Sequence, residues 1–135
     1  MVVIRACNEQ DVAGLLALYR ELRPHDPPLV EAEATLAATC QLGVIPTLTT
    51  GGRPFGIIEH VITAARFRRQ GLSQKVLEQA LAIAWQQDCY KVMLLSGEGR
   101  ESAHRLYEKL GFKAGIEKGF VIKQVDAKGT AEPLR

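Results

Sequence analysis

The sequence predicts an α/β domain, a mixed sheet with helices on both of its faces, and three observations carry that expectation. Short β-branched and apolar runs alternate with longer segments whose apolar residues recur at three-and-four spacing. Two of the runs, residues 37–45 and 55–63, flank Gly51-Gly52 and Arg53-Pro54, so they are expected to fold back on one another as an antiparallel hairpin. A third run, 90–95, follows through a helical segment, which makes it a candidate for parallel pairing by a right-handed crossover.

Residues 2–6, Val-Val-Ile-Arg-Ala, read as a first strand. Asn8 with Asp11 three residues on imitates a capping box, although Asp is not the preferred partner there. The helix behind it is expected over 9–22, with Val12, Leu15, Leu16, Tyr19 and Leu22 on one face. Pro24, Pro27 and Pro28 end it, since none can donate a backbone bond and each restricts its predecessor. Residues 29–36 fit either a short helix or the lead into a strand. The strand at 37–45 has room to continue past Pro46 to Leu48. A helix over 71–87 carries Leu72, Val76, Leu77, Ala80, Leu81 and Ala84 on one side. The strand at 90–95 ends in Ser96-Gly97-Glu98-Gly99, and a further helix over 101–110 stops at Gly111, a good residue for leaving a helix. Residues 112–114 and 119–123 read as the last strands. The order is β-α-(α)-β-β-α-β-α-β-β, one domain over 1–125, with the polar residues 126–135 as a flexible tail.

Composition narrows the function classes. The chain has 135 residues, 47% apolar and 24% charged, enough for one hydrophobic core. A net charge of +2, with no basic run longer than Arg68-Arg69, speaks against a nucleic-acid partner. Cys7, Cys40 and Cys89 are odd in number and lack metal-ligand spacing, so they read as reduced thiols of a cytoplasmic protein without a metal. No signal pattern opens the chain, and no apolar run approaches the length of a membrane span.

The candidate site is Arg66-Phe67-Arg68-Arg69-Gln70-Gly71-Leu72-Ser73, between the strand at 55–63 and the helix behind it. A strand, a basic glycine-bearing loop and a helix make an arrangement that holds a phosphate. The first helical turn has amides without intrahelical partners, and the helix dipole places about +0.5 charge there. Arginines fork onto phosphate oxygens, and Gly71 lets an anion approach the backbone. For an isolated R-R-x-G the plainer reading is a basic turn capping a surface helix.

Three blocks in order shift that balance: Arg68-Arg69-Gln70-Gly71-Leu72-Ser73, then Cys89-Tyr90-Lys91-Val92-Met93-Leu94-Leu95, then Ala103-His104-Arg105-Leu106-Tyr107-Glu108-Lys109-Leu110-Gly111-Phe112. Together they resemble the GNAT superfamily of N-acetyltransferases, whose acetyl-CoA signature is Q/R-x-x-G-x-G/A and whose late segment reads A-x-x-x-Y-x-x-x-G-F. Ile58-Glu59-His60-Val61-Ile62-Thr63 with Cys89-Tyr90-Lys91-Val92 is also similar to the glucosamine-phosphate N-acetyltransferase branch. The resemblance implies a GNAT-like mixed, mostly antiparallel central sheet and transfer of an acetyl group from acetyl-CoA to a small amine such as an amino sugar. Two departures stand out. Ser73 replaces the signature Gly or Ala, small enough to keep binding and able to donate to a phosphate oxygen. Between Pro24 and Ala38 the chain is too short for the helix and strand usual there, which shortens the acceptor side. That deficit motivates an alternative, a non-catalytic acyl-CoA-binding or regulatory module, and also the expectation of a homodimer.

By the resemblance, the pyrophosphate lies on the amides of Arg69, Gln70, Gly71, Leu72 and Ser73, with Arg68 and Arg69 as charged support. Pantetheine pairs with the backbone of Val61, Ile62 and Thr63, where the sheet splays away from Leu94 and Leu95. Ser96 and Arg100 complete the cofactor contacts. Tyr107 is the general acid for the departing thiolate, or else a ring packed between Ala103 and Leu110. Glu59, a carboxylate in an apolar strand on the face of Ile57 and Val61, either accepts the amine's proton, binds an ammonium, or pairs with Arg53. His60 reads as a structural histidine on the opposite face, and His104 as a helix-surface residue.

Overall fold

The computed structural model describes residues 2–22 and 36–124. The expectations for Pro24, Pro27, Pro28, for residues 29–35, for the shortened acceptor region up to residue 35, and for the tail at 126–135 lie outside them. By its contacts the chain divides into two compact units, Met1–Leu94 and Leu95–Arg135.

In the first unit, a 3-10 turn at Glu9–Asp11 leads into helix α1, Val12–Leu22. The capping box is complete. Asn8 accepts from the Gln10 amide at 2.9 Å, and Asp11 accepts from the Asn8 amide at 2.9 Å. Residues 2–6 do not form the expected strand: a strand needs a partner edge, and none of the described strands pairs with them. Their arginine turns inward instead. Arg5 grips Asp11 through two bonds of 2.6 and 2.7 Å, tying the extended lead to the helix start.

Strand β1, Ala38–Ile45, pairs antiparallel with β2, Phe55–Thr63, in the expected hairpin, and β2 pairs in parallel with β3, Val92–Leu94. The order is β1-β2-β3. β1 stops at Ile45 rather than running on to Leu48, and the connection is a 3-10 turn at Thr50–Gly52. The Thr47 hydroxyl donates to the Arg53 carbonyl at 2.7 Å across that connection. Helix α2, Leu72–Gln86, buries Leu72, Leu77, Ala80 and Ala84, four of the six apolar positions the spacing singled out.

Helices lie on both faces of the sheet, as two neighbouring residues of β1 show. The Cys40 thiol reaches the Val76 carbonyl of α2. Gln41, next along the strand and so on the other face, meets His60, whose ring lies 5.4 Å from that of Tyr19 in α1. The α1 side has its own core of Leu18, Ile62 and Ala64, with Tyr19, Leu36 and Phe67 packed around it. Val12, counted on the buried face from its spacing, is exposed, and Leu18 is the side chain α1 buries most fully.

The second unit contains helix α3, Glu101–Lys109. The strands expected at 112–114 and 119–123 are not formed. Gly115, at φ +79°, turns the chain after the first, and no described strand pairs with the second, leaving Phe120 87% and Ile122 98% exposed. β propensity reflects fit to a neighbouring strand, so without one the run stays irregular.

The Arg5 pair and the Asn8 amide hold the Asp11 carboxyl down to about 2 from its ordinary 3.8. A lowered acid contributes stability above its unfolded value and loses it as pH falls through the folded one. Wild-type stability is therefore expected to drop between about pH 4 and pH 2, and Asp11→Asn to flatten that decline, as read from chemical-denaturation midpoints against pH.

Candidate functional site

Pairing of β2 with β3 covers only Gly56, Ile57 and Ile58, the last against Leu94. Glu59 to Thr63 run on with β1 on one side and no strand on the other among the described residues. This stretch also carries a bulge. Thr39 pairs with Ile62 and Gln41 with Glu59, so Cys40 faces two residues, His60 and Val61. His60 takes the left-handed φ of +52° that this requires. A bulge bends a strand and re-aims its side chains.

That bulge corrects the placement of Glu59. Strand alternation cannot be carried from Glu59 to Val61 across it. Glu59 is exposed, not buried, and its carboxylate makes no hydrogen bond or ion pair among the described residues. Its anticipated partner Arg53 is taken by Asp88, at 3.2 Å. His60 bonds Gln41 Oε1 through Nδ1 at 3.2 Å, the satisfied histidine the sequence suggested. Ile62 is buried in the α1 core and Val61 half-buried, so what these two residues present to an unpaired edge is their backbone.

The loop after β2 folds as a 3-10 turn, Ala65–Phe67, with the Arg66 guanidinium 5.0 Å over the Phe67 ring. Ala64 is buried, and its amide donates to the Ala37 carbonyl at 2.8 Å, which anchors the loop's entry. Arg69 at φ +65° and Gly71 at φ +73° then turn the chain into α2. Gly71 is the N-cap residue and supplies no capping side chain to the first turn. Arg68, Arg69, Gln70 and Gly71 are all exposed, while Leu72 is buried and pins the helix start. Arg68 is partly engaged: its Nε donates to the Thr63 carbonyl at 3.4 Å. Ser73, expected to offer its hydroxyl to a phosphate, instead bonds the Thr63 hydroxyl, Oγ to Oγ1, at 2.5 Å. Nothing local in the sequence signals that link, because the two residues are ten apart and meet only when the loop closes.

In the second unit, His104 is not a plain surface residue. Its Nε2 lies 2.9 Å from the Gly97 carbonyl and 3.2 Å from the Ser96 hydroxyl, so it ties the loop before α3 to the helix. Arg100 is exposed at the N-cap of α3, and its amide donates to the same Gly97 carbonyl at 3.2 Å.

Tyr107 is held by the way α3 ends. Phe112 N–H donates to the Tyr107 carbonyl and Gly111 N–H to the Glu108 carbonyl, each at 3.0 Å, with Gly111 at φ +102°. These are the two bonds of a Schellman motif. The apolar contact that accompanies such an ending is the Tyr107–Phe112 pair, 6.2 Å apart and edge-on at 72°. The Y-x-x-x-G-F spacing is thus a helix stop that seats an aromatic ring, and Phe112 is a contributor the sequence reading passed over. Tyr107 is only 7% exposed. Its hydroxyl has no bond among the described residues, yet no buried side-chain polar atom there lacks one, so the hydroxyl lies in the exposed remainder. Burial pushes the phenol above its ordinary value, and the Arg100 charge opposes the rise.

Among the described residues no cluster of His, Cys, Asp or Glu could hold a metal ion, and no helix is long and apolar enough to cross a membrane.

Comparison with known proteins bears on these features directly. Residues 4–112 match the family described as the acetyltransferase (GNAT) family. The chain is 34% identical over 111 residues to the glucosamine 6-phosphate N-acetyltransferase of Trypanosoma brucei brucei, covering 82% of this chain and 70% of that protein. A solved structure from Agrobacterium tumefaciens str. C58 is 34% identical with a TM-score of 0.84, over 91% of this chain and all 100% of the other. A solved acetyltransferase of Trypanosoma brucei is 26% identical with a TM-score of 0.77, over 89% and 97%.

Any side chain at Gly111 is strained whatever the space around it, since a Cβ there meets nothing within 4 Å but φ is +102°. Gly111→Ala is expected to cost about 1–2 kcal/mol in stability, measured by urea unfolding.

Proposed function

The chain belongs to the acetyltransferase (GNAT) family and is an acyltransferase enzyme, and from that premise we propose that it moves an acetyl group from acetyl-CoA to the primary amine of a small molecule. The observation that carries the reading is the start of α2. Exposed Arg68 and Arg69 precede a helix whose N-cap, Gly71, has no side chain to cap the first turn. Open amides, a helix dipole and two guanidinium groups suit a diphosphate. Residues of the first unit fitted to the cofactor are Arg68 to Ser73 for its phosphates and the backbone of Val61, Ile62 and Thr63 for pantetheine.

Acetyl-CoA brings the activated thioester; the rest of the chemistry belongs to the protein. Pantetheine carries amides, so an unpaired strand edge can bind it as it would another strand, and β2 beyond Ile58 offers such an edge. Backbone groups there are also available to a carbonyl oxygen gaining charge. Alignment of amine and thioester lowers the barrier further, by up to about 7–11 kcal/mol in the best cases. The amine has to attack without its proton. Glu59, exposed and with no side-chain partner among the described residues, accepts that proton directly or through water, or else binds the ammonium form. Tyr107 returns a proton to the departing thiolate from its hydroxyl. A thiol near 8.5 and a phenol near 10 leave this transfer slightly uphill. Burial of Tyr107 raises the phenol further, which keeps the proton in place and makes a shared hydrogen bond the effective form of the donation.

The acceptor class is an amino sugar or similar amine. Its support is the relative at 34% identity, itself a glucosamine 6-phosphate N-acetyltransferase. We further propose that the protein is a cytoplasmic homodimer without nucleic-acid or membrane partners. The exposed apolar residues Phe120, Val121 and Ile122 support a protein surface as their partner.

Incubation with acetyl-CoA and a library of amines, amino sugar phosphates included, is expected to release free thiol. Tyr107→Phe should lower kcat by about 10²-fold or more while changing the Kd for CoA little. Tight CoA binding without turnover on any amine would point instead to a binding module. For the assembly, small-angle scattering is expected to return twice the chain mass, and a monomer mass rejects the dimer.

A further inference from the structure

Thr63 is the last residue of β2, and its hydroxyl and its carbonyl are both used to close the loop that follows. Its hydroxyl bonds Ser73 in the first turn of α2, and its carbonyl accepts from Arg68 Nε at 3.4 Å. Both residues are half-buried. The neck of the loop is further pinned by the buried Ala64 and Leu72 and by the Ala64–Ala37 backbone bond. Strand end and helix start are therefore joined side chain to side chain, with the exposed arginines held between them.

We propose that Thr63 and Ser73 form a clamp that sets the spacing between the strand edge and the open end of α2, which makes both of them positioning residues for the acyl donor. This rests on the proposed function above, in which the thioester arm follows β2 and the diphosphate meets α2. A ligand reaching both places binds best when their separation is already correct. With the clamp, the loop is ordered on folding; without it, the ordering is charged against binding. The Ser73 hydroxyl then acts through Thr63 and not through a contact of its own with phosphate. A direct contact would lose affinity independently of residue 63, whereas a clamp is broken equally from either side.

The test is a double-mutant cycle read as the Kd for CoA by titration calorimetry, on wild type, Ser73→Ala, Thr63→Val, the double variant and Thr63→Ser. Val keeps the shape and strand preference of Thr, and Thr63→Ser keeps the hydroxyl. Each single loss is expected to raise Kd by roughly two- to tenfold, the size of one hydrogen bond. The double variant should be no weaker than the weaker single one, and Thr63→Ser should bind like wild type. Losses that multiply in the double variant, single variants that bind like wild type, or a Thr63→Ser that binds like Thr63→Val overturn the clamp alone and leave the proposed function standing. Wild-type protein that binds no CoA overturns the proposed function and the clamp together.

Discussion

The unequal pairing of β2 is the constraint on which the rest of the first unit depends. On one side it is matched to β1 from Phe55 to Thr63, with a bulge where Cys40 faces two residues. On the other it is matched, among the described residues, to β3 for three residues only. A strand held along its whole length by one neighbour is stiff enough to carry an unpaired edge on its other side. Here that edge is short and bent by the bulge, a usual way of keeping a free edge from pairing indiscriminately. The same ladder delivers Thr63 to the point where the loop must start, so the basic residues and the start of α2 inherit their position from the hairpin.

Helix ends do more of the remaining work than helix faces. At α1, Asn8 and Asp11 satisfy the first-turn amides reciprocally, and Arg5 neutralises the acid. That entrance is closed and serves stability. The α2 start has a glycine at the corresponding place, which offers no capping side chain, beside the exposed Arg68 and Arg69. At the far end of α3 the backbone bonds of the helix stop hold Phe112 against Tyr107. That contact leaves Tyr107 only 7% exposed.

Electrostatics act locally in this protein. The charge total is small, and the groups whose protonation is displaced are displaced by identifiable neighbours or by burial. Asp11 is lowered by Arg5 and Tyr107 is raised by its surroundings. The Arg53–Asp88 pair, exposed on both sides, adds little to stability but occupies the arginine that would otherwise have been Glu59's nearest candidate partner.

By itself the sequence determined whatever depends on near neighbours in the chain. The three-and-four spacing from Leu72 to Ala84 marked α2, the paired glycines before Arg53 marked the hairpin, and Asn8 with Asp11 marked the entry to α1. The basic loop and the Y-x-x-x-G-F stop were legible for the same reason, since each is a local device with residue types required at set offsets. Folding in three dimensions decided what depends on a partner far away. Residues 2–6 and 119–123 have the composition of strands but pair with none of the strands among the described residues, and they form none. A one-residue slip opposite Cys40 moved Glu59 out of the simple alternation, and loop closure brought Thr63 onto Ser73. Strand pairing and loop closure are contacts between distant residues, and their energies are set by whichever surface arrives, which no local pattern encodes.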